Sequence, residues 1–135
     1  MNKTIFEKII DKEIPAEIVY EDDDFIAFLD IKPVSLGHTL LVPKIACENI
    51  FEIDSNSADK LGHIMKKVSL AVKSGSDALG INIIANNGEA AGQEIFHLHF
   101  HIIPRFENDG LESWHGKTDS GYDLPNIAKK IRGSF

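Results

Sequence analysis

Apolar positions along the chain change their period several times, and each change marks an element. Near the N-terminus Ile5, Phe6, Ile9 and Ile10 recur at helical spacing. Thr4 followed by Glu7 has the pattern of a capping box, in which each side chain satisfies a backbone N–H of the first turn. A short helix is predicted here, limited by Pro15. Ala16–Glu21 and Phe25–Leu29 read as two strands joined as a hairpin by the acidic turn Asp22-Asp23-Asp24. Pro33 and Gly37 mark a loop, and His38–Val42 is a third strand stopped by Pro43. From about Ser57 to Lys73, Leu61, Ile64, Met65, Val68, Ala71 and Val72 recur three and four apart, opposite Asp59, Lys60, Lys66 and Lys67. That periodicity predicts the longest helix, with Gly75 as its stop.

Ile81–Ala85 and Ile95–Ile103 give a fourth and a fifth strand, close enough in the chain to be antiparallel neighbours. The order helix, three strands, helix, two strands predicts an α+β fold. It has an antiparallel sheet of about five strands, an N-terminal helix and one longer helix, with the helices on one face. Beyond Pro104 the pattern weakens. Asn108–Gly121 reads as loop, and Leu124, Ile127, Ala128 and Ile131 predict a short terminal helix.

Composition narrows the class. The 135 residues are read as a single domain, 1–135, long enough for one core. A net charge of −7 argues against a broad basic surface for nucleic acid but leaves room for a small phosphorylated ligand held by a few residues. No apolar run approaches the ~20 residues that span a bilayer, so no membrane partner is expected. The N-terminus has no signal-peptide pattern, and Cys47, the one cysteine, cannot form an internal disulfide. A cytoplasmic location is expected.

The candidate chemistry lies in His97-Leu98-His99-Phe100-His101-Ile102-Ile103. Side chains alternate across a strand, so the three imidazoles are predicted to share one face with Leu98, Phe100 and Ile102 anchored behind them. Scattered half-buried histidines are the bland alternative. A metal site is the sharper one, but four strand steps separate the outer rings by ~13 Å, against zinc–nitrogen bonds of ~2 Å. Two of the three, helped by His38, His63 or a carboxylate, are the remaining metal arrangement. The row suits phosphoryl chemistry better. Neutral imidazole is nucleophilic, so central His99 is placed to attack phosphorus, with its neighbours stabilising oxygens or protonating the leaving group. Asn86, Gly88, Gly92 and Gln93, in the preceding loop, can hydrogen-bond phosphate without burying charge.

These residues resemble the histidine-triad (HIT) family, whose motif alternates three histidines with hydrophobic residues as His97–Ile103 does. The likeness spans about residues 4–105. It includes Asn86-Asn87-Gly88, Ala91-Gly92-Gln93, Gly37–Pro43, Asp30-Ile31-Lys32-Pro33 and the N-terminal helix, and it is nearest the Hint branch. The resemblance implies a nucleotide hydrolase or transferase, here a purine nucleoside phosphoramidase of the adenosine 5′-phosphoramidate type. A dinucleoside polyphosphate hydrolase, a nucleotidyl transferase and a nucleotide-binding regulatory protein are the alternatives. By the same resemblance His99 forms a nucleotidyl-histidine intermediate, His97 and His101 flank it, and His38 supports the triad. His101 contacts phosphate and protonates the leaving group. Asp30 binds the ribose hydroxyls, Asn86 and Gln93 contact phosphate, and Ile5, Phe6, Ile9, Phe28 and Leu29 surround the base. A homodimer with joined sheets is also implied, and no cofactor.

Three positions depart from the family pattern. Thr4 and Glu7 stand where some bacterial relatives have a zinc-binding Cys-x-x-Cys, so no structural zinc is expected. Glu94 stands where Hint-type relatives often have a phosphate-contacting serine. The tail does not follow the animal Hint proteins. Its Trp114 and His115 are read as a loop aromatic and a surface histidine, with leaving-group recognition as the alternative.

Overall fold

The computed structural model describes residues 2–112 and 116–135, so Trp114 and His115 lie outside the described residues. Helix α1 (Ile5–Ile10) opens with the expected box: the Glu7 N–H donates to Thr4 Oγ1 and the Thr4 N–H to Glu7 Oε1. Strands β1 (Ile18–Glu21), β2 (Phe25–Leu29) and β3 (Thr39–Pro43) follow, then α2 (Ser55–Ser76), β4 (Gly80–Ile84), β5 (Phe100–Arg105) and α3 (Leu124–Arg132). All sheet pairs are antiparallel, and the order across the sheet is β1-β2-β3-β5-β4. Among the described residues no helix is long and apolar enough to cross a membrane.

The helices do not share one face, contrary to the expectation. Every side chain of β3, and all but the last of β2, is buried, so both faces of the central strands need cover. On one face Phe25, Ala27, Leu41, Phe100 and Ile102 pack with Ile64, Val68 and Val72 of α2. On the other, Ile26, Phe28, Leu40 and Val42 pack with Phe6 and Ile9 of α1. Burial of such side chains contributes about 1.5–3 kcal/mol each.

Two element ends differ from the sequence reading for local reasons. Gly75 lies inside α2, which stops instead at Asp77 in the left-handed conformation (φ 58°). The fifth strand starts at Phe100 rather than Ile95. Its ladder with β3 ends at Leu41↔Phe100, short of Pro43, which has no N–H to offer. The backbone of 95–97 bends, and the Leu98 N–H donates to the carbonyl of Cys47. Gly37, at φ 89°, turns the chain into β3 where an added Cβ would sit 3.1 Å from Ser76 Cβ and 3.3 Å from Pro104 Cγ. The positive φ favours glycine there, and the space left for a side chain is tight.

Candidate active site

The histidines are not a straight row, because His97 and His99 precede the strand and only His101 lies on it. Alternation survives nonetheless: Leu98, Phe100 and Ile102 enter the α2-side core, and the histidines turn to the α1 side. The His99 and His101 ring centroids are 5.1 Å apart, and those of His38 and His101 also 5.1 Å. The edge of Phe6 closes on His99 at 4.9 Å.

Hydrogen bonds fix which nitrogen of each ring carries the proton, since a carbonyl can only accept and a backbone N–H can only donate. His97 is 1% exposed and spends both nitrogens inside the protein. Its Nε2–H donates to the Pro43 carbonyl at 3.1 Å, and its Nδ1 accepts from the Thr4 hydroxyl at 3.1 Å. Burial pushes its pKa down. The His97 carbonyl in turn accepts the Nδ1–H of His99 at 2.7 Å. That leaves the lone pair on His99 Nε2, which has no partner among the described residues. His97 thus has both ring nitrogens engaged within the protein, and its carbonyl holds the His99 ring.

A second relay starts at the backbone. The Val34 N–H donates to His38 Nδ1 at 3.0 Å, so the neutral ring carries its proton on Nε2 and donates it to His101 Nδ1 at 2.9 Å. His101 must then carry its own proton on Nε2. Burial, reinforced by His99 and His38, pushes the His101 pKa down to about 4, and burial lowers that of His38. At neutral pH His101 is a neutral N–H donor.

His99 and His101 open onto a cavity of about 460 Å³. Ile5, Phe6, Ile9, Phe28 and Leu29 form much of its apolar wall, and Asp30 and Asn86 are among its polar lining. Asp30 Oδ1 accepts the Lys32 N–H at 2.9 Å, and its Oδ2 is 3.7 Å from His38 Nε2. Gln93 also lines the cavity, but its amide is committed to backbone. Its Oε1 accepts the Gly88 N–H at 2.8 Å, and its Nε2 donates to the carbonyls of Glu48 (2.6 Å) and Ile95 (3.0 Å). These bonds use the Gln93 amide to pin the loop ahead of the histidines. Thr4 and Val34 were missed as site-supporting residues. The capping pattern marks Thr4, but no local signal reveals that its hydroxyl proton goes to a ring 93 positions away.

Asp30, His38 and His101 bring ligand-type atoms within 4.8 Å of one another. The donor chemistry does not fit a metal. His38 Nε2 is protonated because Nδ1 already accepts from Val34, and a protonated nitrogen cannot ligate. A second cavity of about 510 Å³ lies on the α2 side, lined by residues such as Tyr20, Val68 and Val72 and by none of the histidines.

A family model described as HIT domain matches residues 11–108. An uncharacterised HIT-like protein of Methanocaldococcus jannaschii is 47% identical over 130 residues, covering 96% of this chain and 98% of its own. The adenylylsulfatase HINT3 of Arabidopsis thaliana is 39% identical over 110 residues, 82% of this chain and 56% of that protein. A crystal structure of a HIT family member from Bacillus subtilis superposes with a TM-score of 0.92 at 40% identity, covering 99% of this chain and 98% of that one.

Proposed function

The chain belongs to the HIT domain family, and from that premise we propose that it is a nucleotidyl hydrolase that cleaves nucleoside 5′-phosphoramidates through a covalent intermediate on His99. One observation carries the reading: two hydrogen-bond relays leave a lone pair on His99 Nε2 and an N–H on His101 Nε2, on two rings that line one cavity. A nucleophile and a donor 5.1 Å apart by ring centroids suit a tetrahedral phosphorus between them. Phe6, Phe28 and their apolar neighbours suit a purine base, and Asp30 suits the ribose hydroxyls. Asn86 is an amide donor for a phosphate oxygen. A homodimer is part of the same proposal.

His99 Nε2 attacks phosphorus as the P–N bond breaks, the departing nitrogen leaving as neutral amine with a proton taken from solvent, and the imidazolium charge on His99 is stabilised because Nδ1–H points at the His97 carbonyl. His101 donates its Nε2–H to a non-bridging oxygen. It cannot easily be the acid for the amine before substrate binds, because a second proton, on Nδ1, would face the N–H of His38. Water then cleaves the phosphorus–nitrogen bond to His99. One water is consumed overall, its hydroxyl ending on phosphorus and its proton on the departing nitrogen.

The experiment is direct. Incubation with adenosine 5′-phosphoramidate releases AMP, and brief acid-free quenching traps a protein heavier by one adenylyl group. His99→Ala lowers the rate by at least about 10³-fold, as removal of a nucleophile does. Wild-type rates in that variant would end the proposal. The likeness to an adenylylsulfatase favours a second reading, cleavage of a mixed anhydride at the same centre, and adenylyl sulfate belongs in the same substrate panel.

A further inference from the structure

The charges around the cavity are not those expected of a site for an anion. Its lining holds Asp30, Lys32 and Glu94 as formal charges, and His101 is neutral at physiological pH. A phosphate there meets a lining with one more negative than positive group. Asp30 is engaged with the Lys32 backbone and faces His38. Glu94 is different: it is exposed, and among the described residues its carboxylate has neither an ion pair nor a hydrogen bond. Its backbone is nonetheless held in place. The preceding Gln93 is tied to Gly88 and Glu48, and the same amide grips the carbonyl of Ile95 just after. A cavity of about 460 Å³ is on the order of 10 Å across, comparable to the Debye length in physiological salt, so a free carboxylate on its wall is only partly screened from a ligand inside.

We propose that Glu94 determines leaving-group specificity, favouring nucleoside 5′-phosphoramidates whose amine carries a second, positively charged group and discriminating against anionic leaving groups. This rests on the phosphoramidase reading above. With the apolar wall of the cavity taking the base, the leaving group is left to the polar lining, which includes Asn86 and the exposed Gly92 and Glu94. A distal ammonium there meets the carboxylate, and a distal carboxylate is repelled by it. The chemistry at phosphorus is unchanged: the His99 Nε2–P bond forms, the P–N bond breaks as the amine takes a proton from solvent, and the water that later hydrolyses the P–Nε2 bond returns a proton to solvent.

Three adenosine 5′-phosphoramidates test this, made from 1,2-diaminoethane, propylamine and β-alanine, which differ at the distal end as cation, neutral and anion. In the wild type kcat/KM falls in that order. Glu94→Gln reduces the ratio of cationic to anionic substrate by about tenfold, the size expected for removing one charge at such a distance in a partly aqueous site. Glu94→Lys inverts the order. The wild-type ratio also shrinks as salt is raised, which a merely structural role for Glu94 would not produce. If all three substrates turn over but the ratio is the same in wild type and both variants, Glu94 does not select the leaving group. If none turns over, the phosphoramidase reading falls and this inference with it.

Discussion

At the scale of single residues, the site is a matter of which nitrogen holds a proton. The imidazoles of His97, His38 and His101 are all pushed toward the neutral form, chiefly by burial. Neutrality is what the relays need, because a cationic His38 or His101 would set two N–H groups against each other. In NMR titrations the His101 ring is expected to stay neutral through pH 5 and to titrate at about 4. The consequence for stability has a definite sign. An unfolded histidine takes up its proton near pH 6.5, so between that value and the folded one the unfolded state binds more protons, and stability rises with pH. Thermal unfolding should therefore shift to lower temperature as pH falls from about 6.5 toward 4. His101→Gln, which cannot titrate, should show a shallower loss. A His101 midpoint near 6.5 would contradict the relay.

At the scale of elements, α1 joins the fold to the chemistry through one side chain. The Thr4 hydroxyl accepts the Glu7 N–H that starts the helix and donates to His97. His97 in turn holds His99 by its carbonyl. Thr4→Val keeps the shape and removes both bonds. It should cost about 1–2 kcal/mol in urea unfolding and lower kcat, whereas Thr4→Ser should retain both. An equal loss of stability with kcat untouched would separate the cap from the catalytic site. The capping box itself was legible in the sequence, as were the strand cores and the periodic face of α2, because each depends on neighbours a few positions apart. The start of β5 was not. It depends on Pro43, on a different strand, and on a His97 ring taking a carbonyl where a ladder N–H would otherwise go. The same limit explains Gln93: a glutamine beside a glycine-rich loop looks like a ligand donor until the backbone groups of Glu48 and Gly88 are brought to it. Helices on opposite faces were foreshadowed by unbroken apolar runs such as Phe25–Leu29, a pattern that alternation-based reading treats as one face.

For the whole molecule, the two edges of the sheet are not alike. At one edge β1 carries a register irregularity between Ile18 and Tyr20, and Glu21 is paired with Lys12 and Lys44. Bulges and charges of this kind discourage further strand pairing. At the other edge β4 reads Gly80-Ile81-Asn82-Ile83-Ile84, without charge or proline, and Ile83 and Leu79 are 49% and 70% exposed. An uncharged, apolar edge of that kind is one to which another strand adds, and the second copy implied by the family resemblance would continue the sheet there. Light scattering at micromolar concentration should then give twice the chain mass of 15.0 kDa. Ile83→Lys should shift it to one chain mass. Because Ile84 pairs with His101 across β4 and β5, a dimer closed on this edge also stiffens the strand that carries the donor, and the monomeric variant should lose activity several-fold through kcat rather than KM. A wild-type protein of one chain mass would refute the dimer. A dimer that survives Ile83→Lys would place the contact elsewhere, with the exposed apolar side chains Leu124, Ile127 and Ile131 of α3 as the next surface to charge.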